Sequence, residues 1–99
     1  MGLVVVQKHK LNRDEALKRV KGALTDAEVK FRVMLSDVHE EWDGYTGKCS
    51  FKVGGSKINA TVDVGDDTVV LRGSVPFLLL GMQSVIKKQL AEVAAKILL

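Results

Sequence analysis

The sequence is poor in residues that would support covalent or metal-based stability. It holds one cysteine, Cys49, so no disulfide can close within the chain. Packing alone must hold the fold, which suits a reducing cytosol. Its two histidines, His9 and His39, each lack a metal-type partner three or four residues away, and no metal or cofactor is expected. Aromatic residues are 5% of the chain, too few for a row of base-stacking platforms. No apolar run approaches the ~20 residues of a membrane-spanning helix; the longest is Val75 to Leu80. The opening MGLVVVQKHK has no basic residue before its short apolar stretch and no small-residue cleavage site. A secretory leader is therefore not expected, and Val6 stands where an N-myristoylation motif requires Ser or Thr.

What is present is the composition of one soluble domain spanning 1–99: 46% hydrophobic and 27% charged, with a net charge of +3. Eight basic residues fall in the first third, but at about 100° per residue they scatter around a helix rather than align. Asp14, Glu15, Asp26 and Glu28 interrupt them. That argues against a nucleic-acid footprint, which is usually a dense basic patch.

Residues 3–10, rich in valine, read as a strand. Asn12 is a helix N-cap, and Glu15 three positions later completes a capping-box pattern. Ala16, Leu17, Val20, Ala23, Leu24, Ala27, Phe31, Met34 and Leu35 then keep helical spacing. After Ser36-Asp37 the period changes to two. VHEEW (38–42), KCSFKV (48–53), KINATVDV (57–64) and TVVLRGSV (68–75) read as strands. DGYTG (43–47), GGS (54–56) and GDD (65–67) supply the turns. Pro76 ends the last strand, and Phe77 to Leu99 read as a long helix. The expected fold is α+β: a single antiparallel sheet in the order β-α-β-β-β-β-α, with two helices packed on one face. Lys48, Lys52, Lys57, Asn59, Thr61 and Asp63 would line the opposite, wetted face.

Catalytic signals are weak. Cys49 falls on the apolar face of its strand, where an inert buried thiol is expected, and His39 is expected to face solvent. GYTGKCS (44–50) fails as a phosphate loop in spacing and in chemistry. Asp63, Asp66 and Asp67 are read as turn-forming residues. No catalytic residue is assigned, and the chain is expected to be non-enzymatic.

The last helix carries the candidate site. With Met82 as reference, Leu78, Leu79, Val85, Ile86, Leu90, Val93 and Ile97 fall within about 80° and form a core stripe that would cross the sheet. Phe77 and Leu80 fall roughly 140–160° away, together with Ser84, Lys87, Lys88, Ala91 and Leu98. Either the helix starts near Leu80, or Phe77 and Leu80 with Lys87 and Lys88 form a hydrophobic partner or ligand surface.

The order and spacing of HKL (9–11), EALKRV (15–20), EEWDG (40–44), FKVGG (51–55), KINATVDV (57–64) and VVLRGSVPFLLLGMQSVIKKQL (69–90) resemble the small bacterial proteins of the polyhydroxyalkanoic acid system (granule-region) family. Members often carry a Pro-Leu-Lys-Gly-like step after the paired leucines; here the step is LGMQ (80–83). The resemblance implies a cytoplasmic protein at polyhydroxyalkanoate granules. It would bind the granule surface, a hydrophobic acyl ligand or a granule protein. It implies no catalytic residue. The element order also resembles a shortened helix-grip fold, although a chain of this length is not expected to enclose a large ligand cavity. A homodimeric interaction module is the alternative, followed by a small nucleic-acid adaptor.

Overall fold

The computed structural model describes residues 2–74, 81 and 83–99. Its elements are β1 (Gly2–Lys8), α1 (Arg13–Lys30), β2 (Leu35–Asp43), β3 (Thr46–Val53), β4 (Ser56–Val64), β5 (Thr68–Ser74) and α2 (Gln83–Ile97). The five strands form one sheet in the order β1-β5-β4-β3-β2, antiparallel throughout. The α+β class and the element order expected from the sequence are both observed.

The topology follows from helix length. β1 and β2 lie at opposite edges of the sheet, and α1 joins them. Four strand gaps come to roughly 19 Å, whereas the 18 residues of α1 rise about 27 Å. One uninterrupted helix can therefore cross the whole face. The chain then returns through three tight connections, and β5 closes the meander against β1. At Gly54-Gly55 both φ angles are positive, +56° and +84°, the signature of a two-residue hairpin turn whose twist matches the strands.

α1 starts as its cap implies: the Asn12 side chain accepts a hydrogen bond from the Glu15 backbone N–H at 2.7 Å. The reciprocal half of the capping box does not form; the Glu15 carboxylate instead pairs with Arg19, one turn on, at 3.2 Å. The helix also ends earlier than its apolar spacing suggests. Phe31 is the C-cap, Met34 lies in a turn and is largely exposed, and Leu35 already belongs to β2. By Lys30 the helix has crossed the sheet, and the chain must reverse to begin the far edge strand.

The tight core lies under the first half of α1. Ala16 and Val20 pack against Val62, Val64 and Val69, with Leu98 closing the cluster. Beside it, Trp42 lies over Gly47, its partner across the β2–β3 ladder. A methyl group added at Gly47 would stand 2.7 Å from the indole ring, so only glycine admits this stacking. Arg13 sits over the Tyr45 ring at 3.9 Å, and Lys21 faces the Trp42 ring at 5.1 Å. His9 is buried and its Nε2 lies 3.0 Å from the Gly65 carbonyl oxygen, tying the end of β1 to the β4–β5 turn.

α2 departs from the expected stripe. Its main packing partner is the edge strand β1, so it lies along the sheet margin instead of crossing it. Ile86, Leu90 and Ile97 are partly buried as expected, but Val85 and Val93 are about half exposed, at 51% and 52%. Leu98, assigned by spacing to the far side, is buried at 4% exposure. The carbonyls of Ile97 and Leu99 accept hydrogen bonds from the Arg19 guanidinium at 3.2 and 2.7 Å, and this anchors the last turn to α1. That anchor turns Leu98 inward.

Val64 is fully buried in the cluster, whereas Val6, on the outer face of β1, is 60% exposed. Val64→Ala is expected to cost about 2 kcal/mol in urea unfolding, from two lost methyl groups and the space left behind. Val6→Ala is expected to stay within about 0.5 kcal/mol of wild type.

Candidate functional site

Toward its C-terminal end α1 stands off the sheet and leaves a pocket of about 360 Å³. Leu24, Ala27 and Glu28 of α1 form its roof with the C-cap residue Phe31, and Ile86 and Leu90 of α2 close one side. The floor is Cys49 and Phe51 of β3, Ile58 and Ala60 of β4, and Leu71 and Gly73 of β5. Leu35, Val38 and Glu40 of β2 complete the far wall. The opening comes from small side chains. Ala27 above, and Ala60 beside Gly73 across the β4–β5 ladder, stand where larger residues would fill the gap. The volume falls in the range of small-molecule sites, roughly 300–1,000 Å³. A pocket of this size was not expected from chain length.

A β-bulge shapes the far wall. Ser36 pairs with Lys52 and His39 with Ser50, so Asp37 and Val38 together oppose Phe51. Asp37 takes a positive φ of 49° and its carboxylate reaches Lys52 at 3.2 Å. The extra residue shifts the alternation by one. Leu35 and Glu40 thereby face the same pocket, while His39 is exposed and lines a small groove on the other face of the sheet.

Glu28 and Glu40 are the charged side chains among the described pocket-lining residues; the rest of the lining is almost wholly apolar. Burial raises the Glu28 carboxyl above its ordinary value, and the neighbouring Glu40 carboxyl raises it further. Glu40 Oε2 also accepts a hydrogen bond from the Trp42 indole N–H at 2.7 Å. Burial pushes the half-buried Cys49 thiol up as well, and the charges of Glu40 and Glu28 add to this. Such a thiol stays protonated and is a poor nucleophile. Pocket, carboxyl pair and thiol thus share one corner of the fold.

The pocket's outer rim is a second apolar feature. Val29, Phe31, Val33 and Met34 are exposed at 65%, 43%, 99% and 62% where α1 gives way to β2, and Lys30 and Arg32 alternate with them.

The site assigned from the sequence lies elsewhere. Phe77 and Leu80 are outside the described residues, as are Leu78, Leu79 and Met82 of the expected stripe. Lys87 and Lys88 are exposed on α2, and neither lines the pocket. The structure brings together Glu28, Glu40 and Cys49 instead. The missed signal was steric: Ala27, Ala60 and Gly73 occupy inward positions on elements that otherwise carry large apolar residues. Among the described residues, no group of three or more His, Cys, Asp or Glu side chains gathers as metal ligands, and no helix is long and apolar enough to cross a membrane.

The raised Glu28 value has a defined sign in stability. The folded state holds the Glu28 proton more tightly than the unfolded chain does, so stability falls as pH rises from the ordinary 4.5 through the raised value. Glu28→Gln is therefore expected to raise the Tm near neutral pH. Well below the ordinary carboxylate range the two proteins should melt alike, and thermal scans across pH measure the difference.

The family model described as "Putative polyhydroxyalkanoic acid system protein" matches residues 3–98, and the chain belongs to that family. No curated protein and no solved structure matches it.

Proposed function

We propose that this member of the polyhydroxyalkanoic acid system family binds an aliphatic acyl ligand in the pocket between α1, α2 and the sheet. It acts as a binding protein, without catalysing a reaction on that ligand, in the cytoplasm at or near polyester granules. The observation that carries the reading is the pocket itself: about 360 Å³ of almost wholly apolar lining. That volume lies at the small end of the range of small-molecule sites, roughly 300–1,000 Å³. Burial of apolar surface supplies the affinity, at about 0.8 kcal/mol per methylene. The family supplies a setting in which hydroxyacyl chains are the metabolites at hand. The non-enzymatic reading is supported by the protonated Cys49 thiol and by the isolation of His39 on the outer face.

A neutral fluorescent probe such as N-phenyl-1-naphthylamine is expected to bind with saturable enhancement and to be displaced by medium-chain aliphatic compounds. Ala60→Phe, which fills the pocket from its floor, should abolish the enhancement while leaving the circular dichroism spectrum and Tm near wild type. A probe signal equally strong in Ala60→Phe would place the binding elsewhere, and no signal in the wild type would end the reading.

A second reading, docking on the hydrophobic granule surface, is favoured by the exposed rim of Val29, Phe31, Val33 and Met34 with Lys30 and Arg32 between them. Such a segment suits an apolar surface that carries anionic groups. A Val33→Ser/Met34→Ser double variant should lose most co-sedimentation with isolated granules yet keep probe binding, because neither residue lines the pocket. Unchanged co-sedimentation would remove the rim from the account and leave Phe77, Leu80, Lys87 and Lys88 as the surface to vary next.

A further inference from the structure

One margin of the sheet is open. α2 lies along β1, whereas β2 is hydrogen-bonded to β3 alone, and its outer edge carries unpaired backbone groups. Charge along this margin is divided. At the start of β2 the exposed rim carries Lys30 and Arg32 among Val29, Phe31, Val33 and Met34. β2 itself holds Asp37, Glu40, Glu41 and Asp43 and no Lys or Arg. Asp37 pairs with Lys52, and Glu41 stands opposite Lys48 on β3 without closing an ion pair. Among the described residues, Lys30, Arg32, Glu41 and Asp43 take part in no ion pair within the chain. The ends of this nine-residue strand are about 27 Å apart. That is several times the screening length of about 8 Å at physiological salt, so rim cations and far acids do not neutralise one another within one chain. An anionic surface suits the rim but would be repelled by the acids beside it, and a basic partner suits the strand but not the rim. A second copy suits both. Set antiparallel about a two-fold axis, each rim meets the other copy's acidic end, and the same contact forms twice.

We infer that this margin is a homodimer interface, in which two copies lie antiparallel along β2 and the Lys30 and Arg32 rim of each faces Glu41 and Asp43 of the other. The apolar rim supplies the buried surface, and Val33, almost wholly exposed in the single chain, is covered by the second copy. The bulge between Ser36 and His39 interrupts the strand, which opposes a continuous backbone ladder between copies and leaves side chains to set the alignment. Phe31 and Val38 line the pocket and are exposed on this same side, so the second copy also covers that side of the pocket. The dimer does not depend on what the pocket binds. It excludes granule docking through the rim, because one surface cannot serve both partners.

Sedimentation equilibrium of the full chain is the test. The wild type is expected to show twice the monomer mass at about 300 µM and to dissociate in the low micromolar range. Lys30→Glu/Arg32→Glu and Glu41→Lys/Asp43→Lys should each weaken the dimer by about thirtyfold or more, because every exposed pair of the interface turns repulsive. The quadruple variant carrying both changes keeps the wild-type net charge and should dimerise again, since rim and acids have only exchanged sign. An equimolar mixture of the two double variants should dimerise for the same reason. Lys87→Glu/Lys88→Glu, on α2, should leave the dimer intact. All these positions are exposed, and circular dichroism checks each fold; Lys30→Gln/Arg32→Gln is the gentler change, expected to weaken the dimer about fivefold. A wild type that stays monomeric at about 300 µM would overturn the inference and leave the rim to the granule surface. A dimer that withstands both double variants lies on another face and would overturn the assignment to this margin. Failure of both the folded quadruple variant and the mixture to dimerise would overturn the antiparallel alignment.

Discussion

The close seating of Ala16 on the sheet is the contact on which the rest of the structure depends. Ala16 is fully buried, and with Val20 it brings the first half of α1 down onto Val62, Val64 and Val69. A larger side chain at Ala16 would lift the helix at the point where the core is densest. Because the helix is pinned at this end, its direction is set by what lies beneath its other end. There the floor is Ala60 and Gly73 and the roof is Ala27, and helix and sheet do not meet. Arg19 extends the same anchor to the C-terminus of α2. Core and pocket are thus two ends of one helix–sheet packing, tight where an alanine faces β-branched residues and open where small residues face one another.

The β2 bulge has consequences as large as those of any core residue. Without it, strict alternation would put Leu35, Asp37 and His39 on one face and Glu40 on the other. With two residues opposed to one, Leu35 and Glu40 both turn to the pocket, and Glu40 meets Glu28 and Cys49. The carboxyl pair is therefore a product of strand irregularity. Its cost is visible in the raised Glu28 value, and an edge strand can carry such a bulge without disturbing a neighbour on its open side. Groups that lower stability while facing a pocket are where a binding function is most reasonably sought.

Much of the architecture was legible because local signals agreed with one another. Asn12 caps α1, the period changes after Ser36-Asp37, and glycine-containing turns separate strands whose alternation is clean from Lys48 to Val64. Where these signals failed, a long-range contact had overridden them. The spacing of Phe31, Met34 and Leu35 continues a helix that the far sheet edge forces to stop. Val85 and Val93 fit a stripe computed from α2 alone, but α2 lies along β1, and Arg19 fixes its last turn with Leu98 inward. The candidate site was the least legible part. Periodicity marks large residues such as Phe77 and Leu80, whereas the pocket is made by small ones, and an absence of side-chain volume leaves no periodic mark.

The sequence by itself determined the number, order and type of the elements, the turns between them, the apolar face of each central strand, and membership of a family defined by that pattern. These are local properties: caps, turn residues and periodicity act over a few positions and need no knowledge of what lies across the sheet. Only the tertiary structure decided where α1 lifts from the sheet, which edge α2 follows, and that Glu28 and Glu40, twelve positions apart on different elements, line one apolar pocket. Those features depend on helix length measured against sheet width and on one extra residue in an edge strand, quantities that exist only once the strands have paired.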